Sequence, residues 1–437
     1  MRPLSTSLPF LLALLLAACG HESELPQDQA TGPEPTLPEP STPWIPTVNI
    51  ADAVGWPAGI KPIAAEGLQV EAFATGLDHP RWLYVLPNGD VLVAETNAPP
   101  RPDEGGGIRG WFFSMFQSKA GAAAPSANRI TLLRDTDGDG IADLRSAFLD
   151  NLNSPFGMAL IGDRFYVANT DAVMRFDYRP GADKIAGPGS KLADLPGGPR
   201  NHHWTKSLVA SPDGTRLYAG IGSNSNVGEN GIAEEKGRAA INEIDVATGD
   251  SIVYATGLRN PVGLAFEPES GKLWTVVNER DELGSDLVPD YLTSVTPDAF
   301  YGWPYSYWGQ HVDTRVEPQK PDLVAAAVKP DYALGNHVAP LGLAFAGGDL
   351  LPERFRHGAF IGQHGSWNRE PRSGYNVVFV PFAGGKPQGM PIEVLTGFVT
   401  GDDEAYGRPV GVALDGAGAL LVADDVGNVI WRVTPRQ

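Results

Sequence analysis

Cysteine is almost missing from this chain of 437 residues: Cys19 is the single one. No intrachain disulfide can form, so stability in an oxidising compartment has to come from packing and from any bound metal. No Cys-x-x-Cys-His occurs either, which excludes a covalently attached c-type haem and makes any electron acceptor a separate molecule. Positive charge is scarce. The 33 Lys and Arg face 52 Asp and Glu, a formal net charge of -19, which leaves no footprint for a nucleic-acid backbone. The apolar run from Leu8 to Ala18 is shorter than the about 20 residues of a membrane-spanning helix. Long amphipathic helices are missing between the apolar strands, which points to an all-β chain.

What is present begins with that apolar run, preceded by Arg2 and closed by Leu16, Ala17, Ala18 and Cys19. A basic start, a short apolar stretch and small residues before the cysteine read as a signal peptide over residues 1–18. The final tetrad resembles the bacterial lipobox, which implies diacylation of the Cys19 thiol and cleavage before it. Gly20 and His21 follow, with no aspartate to signal retention in an inner membrane. The expectation is a lipid-anchored, periplasm-facing protein of the cell envelope, in the outer membrane. Residues 19–60 are rich in proline and acidic or small polar residues, a composition that cannot offset the entropy of ordering. They predict a semi-extended spacer, with Trp44 to Trp56 able to lie against the domain formed by residues 61–437.

That domain repeats one phrase about six times. A proline or polar start leads into a short apolar strand, a turn and a second apolar strand: HPRWLYVLPNGDVLVAE (79–95), SPFGMALIGDRFYVAN (154–169), HWTKSLVASPDGTRLYAGI (203–221), NPVGLAFEPESGKLWTVVNE (260–279), APLGLAF with HGAFIGQHGSWN (339–345, 357–368) and RPVGVALDGAGALLVADD (408–425). Turn pairs such as Asn88-Gly89 and Asp213-Gly214 mark hairpins. Further strands follow at 128–135, 171–178, 239–245, 375–382 and 428–435. Repeated units of three or four antiparallel strands predict a six-bladed β-propeller with four-stranded blades and long inserted loops at 97–127, 281–337 and 384–407. The segment 68–76 lacks a hairpin of its own and is expected to supply the outer strand of the last blade. The strand starts carry His79, Arg81, Asn153, His203, Arg259, Asn260, His337, His364 and Arg408, several of which are expected to converge on one mouth of the ring.

Two stretches are rich in hard oxygens. Asp135, Asp137, Asp139 and Asp143 alternate around Gly140, as at the start of an EF-hand loop, but Ser146 stands where the bidentate glutamate belongs; the two readings are a structural Ca²⁺ loop between strands and an unliganded acidic surface turn, neither of them catalytic. The stretch VNERDELGSDLVPDY (277–291) lies between Arg259-Asn260 and the aromatic run AFYGWPYSYWG (299–309). An arginine, an amide, carboxylates and aromatic faces in one neighbourhood suit an anionic organic cofactor held through Ca²⁺, with a sugar or polyol above it.

These phrases, in order from about residue 68 to 433, resemble the quinoprotein glucose and sorbosone dehydrogenase family, and the sorbosone branch most. The resemblance implies a propeller enzyme using pyrroloquinoline quinone (PQQ) and Ca²⁺, acting on a sugar, sugar aldehyde or polyol, as a monomer or homodimer with an external acceptor. It implies His203 as the base that takes the substrate's hydroxyl proton and Arg259 as its catalytic partner. Asn260, Arg408, His337 and Trp303 become cofactor neighbours, and backbone oxygens at Arg280 and Asp281 hold the cofactor's Ca²⁺. The chain departs from the family pattern at three points. Ser223 replaces an aspartate that supports the base, leaving Glu229 or Glu279 as substitutes. Val410 replaces a second gripping arginine. A lysine is missing near Ser366–Arg369, where Arg369 can stand in. Two other classes fit the same residues: a calcium-containing carbohydrate-binding or envelope scaffold, and a calcium-dependent lactone hydrolase.

Overall fold

The computed structural model describes residues 22–42, 47–100, 119 and 125–436; Cys19 and Trp44 lie outside them. Six antiparallel sheets form a closed ring, the six-bladed β-propeller expected from the repeat. Blade I comprises Pro80–Val85, Val91–Glu95, Arg129–Arg134 and Leu144–Leu149. Blades II and III run from Met158–Ile161 to Ser190–Asp194 and from Lys206–Ala210 to Ser251–Thr256, four strands each. In blade VI the strands Pro409–Leu414, Leu420–Asp424 and Val429–Pro435 are completed by Leu68–Thr75, which pairs along Val429–Pro435. The outer strand predicted from 68–76 thus joins the two ends of the chain and closes the ring.

Two stretches expected as insertions carry blade strands. Residues 281–337 hold Pro289–Ser294 and Tyr332–Asn336, the third and fourth strands of blade IV, and 384–407 holds Ile392–Thr396, the fourth strand of blade V. Their short apolar runs are separated by loops long enough to hide the blade rhythm.

The proline-glycine phrase has a packing cause. Gly157, Gly263, Gly342 and Gly411 sit where one innermost strand crosses the next. A Cβ on Gly342 would lie 2.3 Å from the Val410 carbonyl oxygen, and one on Gly411 would lie 2.8 Å from that of Arg81. The neighbouring residues Phe156, Val262, Leu341 and Val410 join Trp82 and Trp204 in one buried cluster drawn from all six blades. Val410 is therefore a member of the apolar plug of the central channel.

The proline-rich segment is docked on the ring rather than standing off as a spacer. Thr31–Gly32 adds a fifth strand to blade IV against Leu334 and Ala333. Asp52–Ala53 pairs in parallel with Glu404–Ala405, and Ile63–Ala64 extends blade V. Trp56 packs against Phe398, Tyr406 and Trp431, and its indole N–H donates to Asp424 Oδ2 (2.7 Å). Backbone pairing and one aromatic anchor order a strap whose composition alone would leave it loose.

Candidate functional site

Each innermost strand starts at the same end of the ring, so the residues just before these strands meet around one mouth. His203 precedes blade III. Its Nδ1 lies 2.9 Å from the Ser223 carbonyl oxygen and 3.0 Å from Ser223 Oγ. A proton on Nδ1, donated to that carbonyl, puts the ring's lone pair on Nε2, the form a base requires. Ser223 is itself held. Its hydroxyl donates to the Ser225 carbonyl (2.6 Å), its N–H to the Arg259 carbonyl (2.8 Å), and Glu235 accepts from Asn224 N and Ser225 Oγ behind it.

Gly222 explains how blades III and IV meet here. A Cβ at this position would fall 2.4 Å from His203 Cβ and 2.3 Å from Asn260 Oδ1. Only a hydrogen in that place lets the imidazole and the amide approach. Asn260 Oδ1 is buried and has no hydrogen-bond partner among the described residues.

Arg259 is enclosed by acceptors: the Asn226 carbonyl and Oδ1, the carbonyls of Asn278 and Glu279, and Asp281 Oδ2 at 3.0 Å. Its guanidinium is the hub that fixes the Asn226 and Asp281 loops. Trp303 Nε1 donates to the same Asn226 carbonyl (2.9 Å), and Asn368 Nδ2 donates to Asp281 Oδ1 (2.8 Å). His337 stands 3.8 Å from Asp281 through Nδ1 and 3.0 Å from the Gly284 carbonyl through Nε2.

A second cluster gathers blades I, V and VI around Asp425. Arg81 NH1 donates to Asp425 Oδ2 (2.7 Å), His364 Nε2 lies 2.9 Å from the same oxygen, and His79 Nδ1 lies 3.1 Å from the Asp425 carbonyl. Burial opposes ionisation of Asp425, but His364, His79 and Arg81 outweigh it and hold the carboxyl far below the usual range. Burial drives His364 down to about 4 against the pull of Asp425, with the Arg408 charge adding to the drop. Arg408 bonds the carbonyls of His364 and Gly365 and lies over the Tyr375 ring. The loop from His364 to Asn368 touches both clusters.

Arg81 was not singled out as a cofactor residue from sequence. The signal was available: after the proline, blades II, IV, V and VI carry Phe156, Val262, Leu341 and Val410, and blade I carries Arg81. Its guanidinium pairs with Asp425 in the mouth, whereas the Val410 side chain belongs to the apolar plug. Arg81 Nε and His79 Nε2 are buried without hydrogen-bond partners among the described residues. Arg369 faces the strap instead, bonding the Ser285 and Pro371 carbonyls and Ser23 Oγ. Of the carboxylates expected to back the base, Glu229 caps Asn226 and Val227, and Glu279 pairs with Arg280.

The Arg280 side chain is wholly buried between Glu279, Asp313 and the carbonyls of Pro304 and Ser306, so only its backbone could serve a cation. The Asp281 carbonyl accepts from Asn226 Nδ2 and Arg315 NH1, and its carboxylate from Arg259 and Asn368. Oxygens surrounded by N–H donors do not fit a Ca²⁺ ligand set. Asp135, Asp137 and Asp143 do come together, with carboxylate oxygens within 4.8 Å of one another, in the blade I loop at the end opposite the mouth. Asp139 caps the Ile141 N–H, and the three clustered carboxylates also accept within the turn: Asp135 from the N–H groups of Gly138 and Gly140, Asp137 from that of Asp139, and Asp143 from Thr136 N–H and Oγ1.

A family model described as TrAA12-like matches residues 124–292 and 311–436. The chain belongs to the TrAA12-like family. The match is to this family as a whole rather than to a sorbosone branch. Within the curated relatives, a pyrroloquinoline quinone-dependent pyranose dehydrogenase of Coprinopsis cinerea is 24% identical over 367 residues, covering 72% of this chain and 44% of that protein. An uncharacterized protein of Borreliella burgdorferi is 30% identical over 244 residues, covering 55% of this chain and 63% of the relative. The chain thus spans less than two thirds of either relative. The fold is shared with the Trichoderma reesei carbohydrate-active enzyme of family AA12 (TM-score 0.69, 20% identity, 86% of this chain and 98% of that one). It is shared equally with the PQQ domain of Coprinopsis cinerea pyranose dehydrogenase (TM-score 0.69, 20% identity, 88% and 100%).

Proposed function

We propose that this TrAA12-like propeller is a PQQ-dependent oxidoreductase that takes a hydride from a sugar, sugar aldehyde or polyol and delivers the electrons to an external acceptor. The observation that carries the reading is the His203–Ser223–Asn260 arrangement across Gly222: an imidazole with its tautomer set, beside an amide oxygen that still needs a donor.

The mouth's donor chemistry fits an anionic quinone. Arg81 and Arg408 are the fixed cations beside Asp425 and Asp424, burial holds His79 and His364 toward their neutral forms, and His79 Nε2 and Arg81 Nε are buried without hydrogen-bond partners among the described residues. In this reading Arg81 and Arg408 grip the cofactor's carboxylates, and Asn260 hydrogen-bonds it. PQQ supplies a two-electron acceptor when bound. His203 takes the hydroxyl proton at Nε2, and the imidazolium that forms is steadied by the Ser223 carbonyl and hydroxyl at Nδ1. Arg259 acts as a positioning residue, holding the Asn226 and Asp281 walls. No step is assigned to an ion at Asp281, and calcium at the Asp135–Asp143 loop, in this reading, shares carboxylates that already accept hydrogen bonds within the turn.

The reading keeps the lipidation of Cys19 and a periplasm-facing envelope location. Its test is reconstitution of purified protein with PQQ and Ca²⁺, followed by absorption spectra and dye reduction across a panel of aldoses and polyols. Retention of one quinone per chain and sugar-dependent dye reduction are expected. His203→Gln should lower the rate by about 10²-fold or more while quinone retention stays. Absence of quinone retention would leave a carbohydrate-binding scaffold as the better account.

A further inference from the structure

The strap does more than decorate the ring, because it fixes where the chain leaves it. Ser23 is bolted to the mouth side. Its N–H donates to the Glu370 carbonyl (2.6 Å), its hydroxyl meets Asp286 Oδ1 (2.5 Å), and Arg369 NH2 donates to Ser23 Oγ (2.6 Å). Glu24 and Leu25 donate their N–H groups to Asp286 Oδ2. Arg369 and Glu370 follow Asn368, whose amide reaches Asp281 at the wall of the site.

We propose that the face carrying the mouth lies on a lipid bilayer, held there by the docked strap. The inference rests on the Cys19 lipidation put forward above. Three residues lie between Cys19 and Ser23, so four backbone steps join them, a reach of at most about 14 Å when fully extended. A free spacer of about forty residues would have allowed an r.m.s. separation of about 35 Å and any orientation. The length of chain between the acylated residue and its docking point therefore decides the geometry: Ser23 cannot stand further than that from the lipid, and Ser23 is on the mouth rim.

The rim is built for such a contact. Val48 and Trp367 are 42% and 41% exposed, and Asn49, next to Val48, donates its N–H to the Trp367 carbonyl (2.8 Å), so the two exposed apolar residues stand on adjoining backbone beside the docked end. A tryptophan exposed at a lipid–water boundary is stabilised there by its amphipathic ring. The two acyl chains of a diacylated cysteine supply stable attachment, so the patch has only to choose the orientation.

The acylated full-length protein in phosphatidylethanolamine/phosphatidylglycerol vesicles provides the test, because acylation consumes the only native thiol. A fluorophore is attached at Asp402→Cys, at Gly401→Cys as a second reporter, both exposed on the same rim and leaving Val48 and Trp367 in place, or at Ser270→Cys on a turn at the opposite end. Flotation is scored first, then quenching by nitroxide-headgroup lipids. Both rim labels should be quenched several-fold more than the Ser270 label. The double variant Ser23→Ala/Asp286→Ala, which removes the side-chain anchors of Ser23–Leu25 and leaves the Thr31–Gly32 pairing as the next firm attachment, a reach of about 40 Å from Cys19, should still float and lose that difference. Protein that does not float would overturn the lipidation reading and this inference with it. Protein that floats with equal or inverted quenching, or whose rim quenching survives release of the strap, would overturn the orientation alone.

Discussion

His364 shows how a single buried group ties the site to pH. With a folded value near 4, set by burial, against an ordinary 6.5, the folded state refuses a proton that the unfolded chain accepts. The contribution to stability is present above 6.5 and is lost as pH falls from 6.5 toward 4. His79 and His337 are depressed in the same direction, again by burial, and add to the slope. Asp424, raised to about 6, and Asp290, raised to about 8, both by burial, work the other way over the same window, so the expectation is a difference: between pH 7 and pH 5 the melting temperature of His364→Gln, which keeps a donor for Asp425, should fall less, or rise more, than that of the unsubstituted protein. A slope unchanged by that substitution would show that His364 is not the group titrating. At this scale the sequence was read unevenly. His203, Arg259 and Asn260 were found because side chains were being sought. The partner of His203 was missed because it includes a backbone carbonyl, and no residue letter marks a carbonyl. Arg81 was visible as a strand-start residue, but its role depended on Asp425, 344 residues away in the chain.

Individual elements were the most legible part. Alternating apolar residues and turn glycines marked all six hairpins, because both follow from local backbone geometry. The strap was illegible for the opposite reason: Thr31–Gly32 pairs through its backbone, and Trp56 finds its pocket among residues of blades V and VI. The glycines at the inner crossings are the clearest case of an element-level constraint. Gly342→Ala would force a methyl to within 2.3 Å of the Val410 carbonyl oxygen, with backbone on both sides and no rotamer to relieve it. A loss of about 1–3 kcal/mol in unfolding free energy is expected from urea titration, whereas Gly348→Ala, which meets nothing within 4 Å but has φ +75°, should cost only the strain of that backbone. The acidic loop gives a separate prediction. If Asp135, Asp137 and Asp143 take up Ca²⁺, micromolar to millimolar calcium should raise the melting temperature and Asp137→Asn should cancel the rise, with His203-dependent activity untouched by either.

For the whole molecule, closure decides whether there is a site at all. The mouth draws residues from blades I, III, IV, V and VI, and blade VI gains its fourth strand only because Leu68–Thr75, which precedes blade I, pairs along Val429–Pro435. Its apolar residues Leu68 and Val70 pack with Val429, Trp431 and Val433 in one buried cluster, so the seam is sealed by side chains as well as by the ladder. The strap then covers the same junction: Trp56 donates to Asp424, whose other oxygen accepts from the Arg408 N–H at the mouth and from Gly427. A chain beginning at Leu77 keeps every inner hairpin yet exposes the edge of Val429–Pro435 and strips the cover from Asp424. An open edge of that kind pairs with other chains, so this shortened protein is expected to be recovered as aggregate. Co-expression with a separate segment spanning residues 50–76 should restore soluble, closed protein with native near-ultraviolet dichroism, since the missing piece contributes through non-covalent pairing. Soluble, native-like folding of the shortened chain by itself would show that the ring closes without the seam. Failure of the separate segment to rescue it would show that covalent continuity into blade I, and not the seam, holds the ring together.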